Sequence, residues 1–156
     1  MCFSGQPRFI KECAGEIKKN VIGDYDVDVF AHLWFDEELQ TKPYKYGGLG
    51  NWQHQRISKT AIDDFCEEYH PKQIITETSR KFYDSNIHFE SSLHRYWRGG
   101  INNPLEPDFR NRTVNNCLSY LYSLSEVNKL KKLQEYGSDF KYDVVVRCRT
   151  DSAVNT

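Results

Sequence analysis

Two short stretches hold the side chains with the greatest chemical reach: SGQPR, residues 4–8, and RCRTD, residues 147–151. In the first, Gly5 permits a tight exit from an extended segment, and backbone N–H groups at such a turn can approach a phosphate or a base. Arg8 adds a planar, fork-shaped cation suited to a diphosphate or a base edge. The same residues also make an ordinary strand-to-helix turn with Arg8 on the surface. In the second stretch, side chains of an extended chain alternate, so Arg147, Arg149 and Asp151 point one way and Cys148 and Thr150 the other. A carboxylate at the carboxyl end of a strand can hold Mg²⁺ or Mn²⁺ together with substrate phosphate oxygens. The arginines could instead grip a diphosphate, or one could pair with Asp151 and leave a salt-bridged strand end. Neither a GxGxxG fingerprint nor a Walker loop occurs, which disfavours the common dinucleotide and P-loop sites.

The elements that must position these residues follow from hydrophobic periodicity. MCFSG reads as a short strand broken by Gly5 and Pro7, and FIKECAGEIKKN, residues 9–20, as an amphipathic helix. VDVFAHLW, residues 27–34, is apolar on both parities apart from Asp28 and His32, as a strand covered on both faces should be. ISKTAIDDFCEEY has Ile57, Ala61, Ile62, Phe65 and Tyr69 at helical spacing, and Pro71 forbids continuation. QIITET, residues 73–78, is a third strand, and the stretch from Thr113 to Gly137 is the longest helix, with Gly137 as its expected stop. KYDVVVRCRTD, residues 141–151, then reads as a fourth, buried strand. Alternating strands and helices of this kind predict an α/β fold, Rossmann-like, with a mostly parallel, doubly wound sheet. Residues 35–55 and 79–111 resist that scheme. Both are long, rich in Gly, Asn, Pro and aromatics, and follow strand carboxyl ends, where open α/β sheets bind ligands.

With 156 residues, the expectation is one domain spanning 1–156. A net charge of −1 lacks the basic field that nucleic-acid binding needs, so no nucleic-acid partner is expected. No apolar run is long enough for a membrane span. Five widely spaced cysteines fit neither a disulfide framework nor a CxxC zinc site; reduced thiols and a cytoplasmic setting are the expectation.

The four stretches CFSGQPRF, DVDVFAHLW, LYSLSEVNKLKK and FKYDVVVRCRTD, in this order, resemble a group of GT-A-type glycosyltransferases of large viruses, phages and bacteria. In that group the first strand leads into an SGQ-x-R turn and the second carries D-V-F-x-H-x-W. The last ends in an R-x-R-x-D version of the metal-binding DxD motif. The resemblance covers nearly all of the chain outside the two long loops. It implies the N-terminal half of a GT-A fold, a donor-binding portion that transfers a hexosyl or deoxyhexosyl group from a UDP- or GDP-linked sugar to a glycan acceptor. It also implies the cytoplasm of a bacterial cell or a virus-infected host cell.

Carried over residue by residue, the resemblance implies that Ser4, Gly5, Gln6 and Arg8 line the nucleotide pocket, with His32 and Trp34 near the base or ribose. Asp151 would be the ligand of Mn²⁺ or Mg²⁺, and Arg149 the nearest extra cation. Position 149 departs from a standard DxD, where the first carboxylate would stand. The resemblance further implies that the chain stops where the acceptor half would begin, so no catalytic base can be named, and that missing strands would leave an edge favouring self-association. Two other readings are a non-catalytic or vestigial sugar-nucleotide-binding domain and a protein-interaction domain that retains only the fold.

Other residues read more plainly. His32 suits a buried histidine satisfied by a backbone group, and Asp63, Asp64, Glu67 and Glu68 a solvated helix face. Asn116, Ser119 and Ser123 form a small polar stripe that suits close packing on a sheet or contact with a donor sugar. Tyr83, Tyr96 and Trp97 could stack on a sugar or pack under the second long loop.

Overall fold

A computed structural model describes residues 1–36, 57–78 and 107–152, with side chains described from residue 116 onward in the last segment. The long segments expected as ligand loops, with Tyr83, Tyr96 and Trp97, lie outside the described residues apart from 35–36 and the backbone of 107–111. The chain divides into two compact units, residues 1–79 with 123–156, and residues 80–122. The described part of the second is the first half of a long helix; the sheet belongs to the first.

Four parallel strands, β1 (Cys2–Gly5), β2 (Phe30–Trp34), β3 (Gln73–Glu77) and β4 (Arg147–Cys148), lie in the order β3-β2-β1-β4. In register, Cys2 pairs with Phe30 and with Arg147, and Phe30 with Gln73. The helices are α1 (Ile10–Ile17), α2 (Ala61–Tyr69) and α3 (Pro107–Ser138). The fold is α/β and Rossmann-like. From β1 the chain builds outward through β2 to β3, then returns to place β4 on the other side of β1, so the order reverses between β1 and β4.

Period-two alternation divides the core between the two sheet faces. Phe3, Ala31 and Leu33 point to one side and pack with Ile10, Ala14 and Ile17 of α1 and Ala61, Phe65 and Tyr69 of α2. Cys2 and Phe30 point to the other and pack with Val127 and Leu130 of α3. Phe65 is fully buried, edge-on to Phe3 at 5.2 Å between ring centroids. Two of the acidic residues expected on a solvated face of α2 tie it to α1 and to the residue after it: Asp64 pairs with Lys11 at 3.0 Å and Glu68 with Lys18 at 2.6 Å. Exposed pairs of this kind contribute about 0–1 kcal/mol each, so the apolar contact beneath them sets the packing.

Helix ends follow local chemistry. After Ile17 the chain adds a π-helical turn, Lys18–Ile22, closed by Gly23, whose φ of 51° suits glycine and whose N–H donates to the Lys18 carbonyl at 2.7 Å. His70 in the left-handed region (φ 44°) ends α2 just before Pro71. The long helix runs past the expected Gly137 stop to Ser138; the residue that turns out of the helix is Asp139, at φ 52°. Aspartate tolerates that conformation better than most side chains.

The fourth strand departs most from expectation. Its regular pairing is confined to Arg147–Cys148, and the valines read as its buried body are 75, 40 and 37 % exposed at positions 144, 145 and 146. The Cys2 N–H reaches the Val146 carbonyl at 2.8 Å, so pairing to β1 begins only there. Among the described residues no strand pairs beyond β4, and an apolar run at a sheet edge has no neighbour to bury it. No described helix is long and apolar enough to cross a membrane.

Candidate functional site

In open α/β sheets the crevice for a ligand forms where strand order reverses, outside the strand carboxyl ends, because the flanking connections leave in opposite directions there. Here that point lies between β1 and β4. The residues that follow them are Gln6, Pro7 and Arg8 on one side and Arg149, Thr150 and Asp151 on the other.

Thr150 stitches the two together. Its side chain is buried, its hydroxyl donates to the Gln6 carbonyl at 2.9 Å, and it accepts the Arg8 backbone N–H at 3.0 Å. The Arg8 N–H also reaches the Gln6 carbonyl at 2.9 Å, which folds residues 6–8 into a tight turn. Gly5 leaves β1 at φ 117°, a conformation that L side chains rarely adopt, and Phe9 enters α1 at φ 52°, ψ 33°. A bulky aromatic in the left-handed region costs of order 1–3 kcal/mol and persists only where its surroundings dictate it. The Arg8 guanidinium donates to the side-chain oxygen of Gln6, which braces the turn from within.

Arg149 and Asp151 form a two-pronged pair. Nε and Nη2 of Arg149 donate to the two carboxylate oxygens of Asp151 at 2.8 and 2.7 Å. The Arg149 side chain is 56 % exposed and that of Asp151 only 16 %. Burial pushes the Asp151 carboxyl up, but hydrogen bonds and charge from Arg149, helped by the charge of Arg8, outweigh it and hold the group below the usual carboxylate value of 3.8. Asp151 is therefore ionised at neutral pH, with a guanidinium as its counter-ion.

That pairing bears on the expected metal. Both Asp151 oxygens already accept from a cation, and no three His, Cys, Asp or Glu side chains converge as a ligand set among the described residues. An ion bound to the same carboxylate would sit within about 5 Å of the guanidinium. There, like unit charges repel by about 3 kcal/mol at an effective dielectric of about 20, and a divalent ion by twice that before solvent screening. The described residues, with Arg149 in place of a first carboxylate, do not fit a divalent-ion site.

Of the expected binding residues, Gly5, Gln6 and Arg8 lie in the turn after β1, and Arg149 and the expected metal ligand Asp151 in the adjoining segment after β4. Ser4, His32 and Trp34 are buried instead. His32 lies under α3, with Nδ1 at 2.9 Å from the Ser123 hydroxyl and Nε2 at 3.5 Å from Glu77. Trp34 packs edge-on to it at 4.9 Å. Serine, histidine and glutamate in this order resemble a hydrolytic triad, but the chemistry fails on access. Ser123 is fully buried, and its hydroxyl also lies 3.2 Å from the His32 carbonyl as a donor. The stripe residue Ser123 thus packs against the sheet. Burial lowers the His32 pKa below 6.5, with Glu77 opposing, so the ring is neutral at physiological pH.

Thr150 is the site residue that sequence reasoning passed over. Its parity, opposite to Arg149 and Asp151, was the available signal: a hydroxyl aimed inward at a strand end needs buried partners, and the β1 turn supplies them. Comparison with protein-family models, curated proteins and solved structures returned no match.

Proposed function

We propose that this chain is the donor-binding portion of a nucleotide-diphospho-sugar glycosyltransferase of GT-A type. The observation that carries the reading is the junction of the β1 turn with the end of β4 through Thr150, at the point where strand order reverses. It gathers two arginines at a strand-end crevice, the chemistry a diphosphate requires. The resemblance in SGQPR, DVFAHLW and RCRTD supports the same reading.

In the transfer, the bond between the sugar's anomeric carbon and the diphosphate oxygen breaks, and the nucleoside diphosphate leaves with the electron pair. An acceptor hydroxyl forms the new bond, and its proton passes to the departing diphosphate or to water. The role of Arg8 and Arg149 is to bind the diphosphate and stabilise the charge that grows on it as it leaves. Titration of UDP, GDP and their sugars by calorimetry tests the reading: saturable binding that favours a nucleotide over inorganic diphosphate is expected, and its absence would overturn it.

A second reading, a sugar-nucleotide-binding domain without turnover, is favoured by one observation. Asp151, the carboxylate described at the strand ends, is held ionised with both oxygens on the Arg149 guanidinium, so it is not set to take a proton from an acceptor. Release of free sugar from a bound donor, followed over time, separates the two.

A further inference from the structure

The metal-ligand reading of RCRTD and the geometry at its end disagree, and the disagreement has consequences for how a ligand is held. We propose that the crevice holds the phosphates of its ligand on Arg8 and Arg149 without a divalent ion, and that Asp151 is a positioning residue that aims Arg149. The proposal deepens the nucleotide-sugar reading and rests on it for the class of ligand.

Three observations carry it. The Asp151 carboxylate is spent on Arg149 in a two-pronged contact, with both oxygens engaged at 2.7–2.8 Å. This fixes the plane of a guanidinium whose side chain remains more than half exposed, a state in which an arginine can meet a second anion. Arg8 is anchored in the adjoining β1 turn through its backbone N–H on the Thr150 hydroxyl, next in sequence to Arg149, and through its guanidinium on Gln6; its charge helps to keep Asp151 ionised. Among the described residues no other carboxylate or histidine joins Asp151 to make a ligand set. Where a DxD motif recruits positive charge from solution, arginine at position 149 supplies it covalently.

The experiment is calorimetric titration of the full chain with UDP, GDP and inorganic diphosphate, each in EDTA and again with Mn²⁺. The proposal expects dissociation constants that agree within about twofold between the two conditions. Binding that appears only with Mn²⁺, or tightens about tenfold or more with it, overturns the clamp and leaves the nucleotide-sugar reading standing. Metal-independent binding of inorganic diphosphate with no preference for a nucleotide supports the clamp and sinks the nucleotide-sugar reading. Absence of binding under every condition overturns both.

Two variants sharpen the assignment. Arg149→Asp creates a two-carboxylate D-x-D at an exposed position; it should lose binding in EDTA and regain it with Mn²⁺. Indifference of its affinity to both the substitution and the ion would count against Arg149 as a phosphate ligand. Asp151→Asn should weaken binding by the same factor in EDTA and in Mn²⁺. A loss confined to the Mn²⁺ titration would make Asp151 a metal ligand after all.

Discussion

Replacing Thr150 by valine keeps the shape of a buried side chain and removes the one hydroxyl that joins the β1 turn to β4. The hydroxyl makes two hydrogen bonds, to the Gln6 carbonyl at 2.9 Å and from the Arg8 N–H at 3.0 Å. Each such bond contributes about 1 kcal/mol net, so the pair contributes about 2 kcal/mol. The loss does not rise to a full desolvation penalty, because the Arg8 N–H and the Gln6 carbonyl still bond to each other at 2.9 Å. At this chain length about 2 kcal/mol corresponds to a fall in Tm of about 4–8 °C. Thr150→Ser retains the hydroxyl and loses only a methyl group, about 1 kcal/mol. Thermal and urea unfolding followed by circular dichroism measure both. A valine variant that melts with the wild type, or a serine variant that falls as far as valine, would refute the stitch. Ligand affinity should follow stability in the valine variant, since the turn carrying Arg8 loses its anchor.

Three further outcomes are expected. The His32 pKa is lowered by burial, so below pH 6.5 the unfolded chain takes up a proton that the folded chain refuses. Stability from this group is complete above that value and is lost as pH falls from it toward the folded pKa. Urea midpoints should decline through that window, and His32→Gln should flatten the decline; equal slopes would contradict it. Phe65→Ala removes a fully buried ring that packs on Phe3 and Tyr69 and should cost about 3–5 kcal/mol by equilibrium unfolding, whereas a loss under about 1 kcal/mol would mean the core repacks. Among the thiols, Cys117 is exposed, and Cys2 is buried with its pKa pushed up by that burial. Timed alkylation read by mass spectrometry should modify Cys117 early and Cys2 last, and early loss of Cys2 would be incompatible with its place under α3.

An arginine paired with a carboxylate offers different chemistry from two carboxylates side by side. Two carboxylates repel each other and are reconciled by a cation from solution. An arginine and a carboxylate reconcile themselves, and what they offer a ligand is an oriented guanidinium.

Local pattern was enough for the first three strands, the helices and the fold class, though not for the extent of β4. The apolar run of β2, the helical spacing of Ile57, Ala61, Phe65 and Tyr69, and the strand-breaking Gly5 and Pro7 act within a few residues of themselves. The order β3-β2-β1-β4 agrees with the parallel, doubly wound sheet that this alternation implies. Alternation also placed Thr150 opposite Arg149 and Asp151. What pattern could not supply was the partner of each polar group. His32 meets Ser123 across 91 residues, and Thr150 meets the β1 turn across 142 and 144. Whether Asp151 faces a metal or Arg149 depends on side-chain geometry at a strand end, and whether three valines are buried depends on what lies beyond β4. These are properties of neighbours brought together by folding, and no window of sequence contains them.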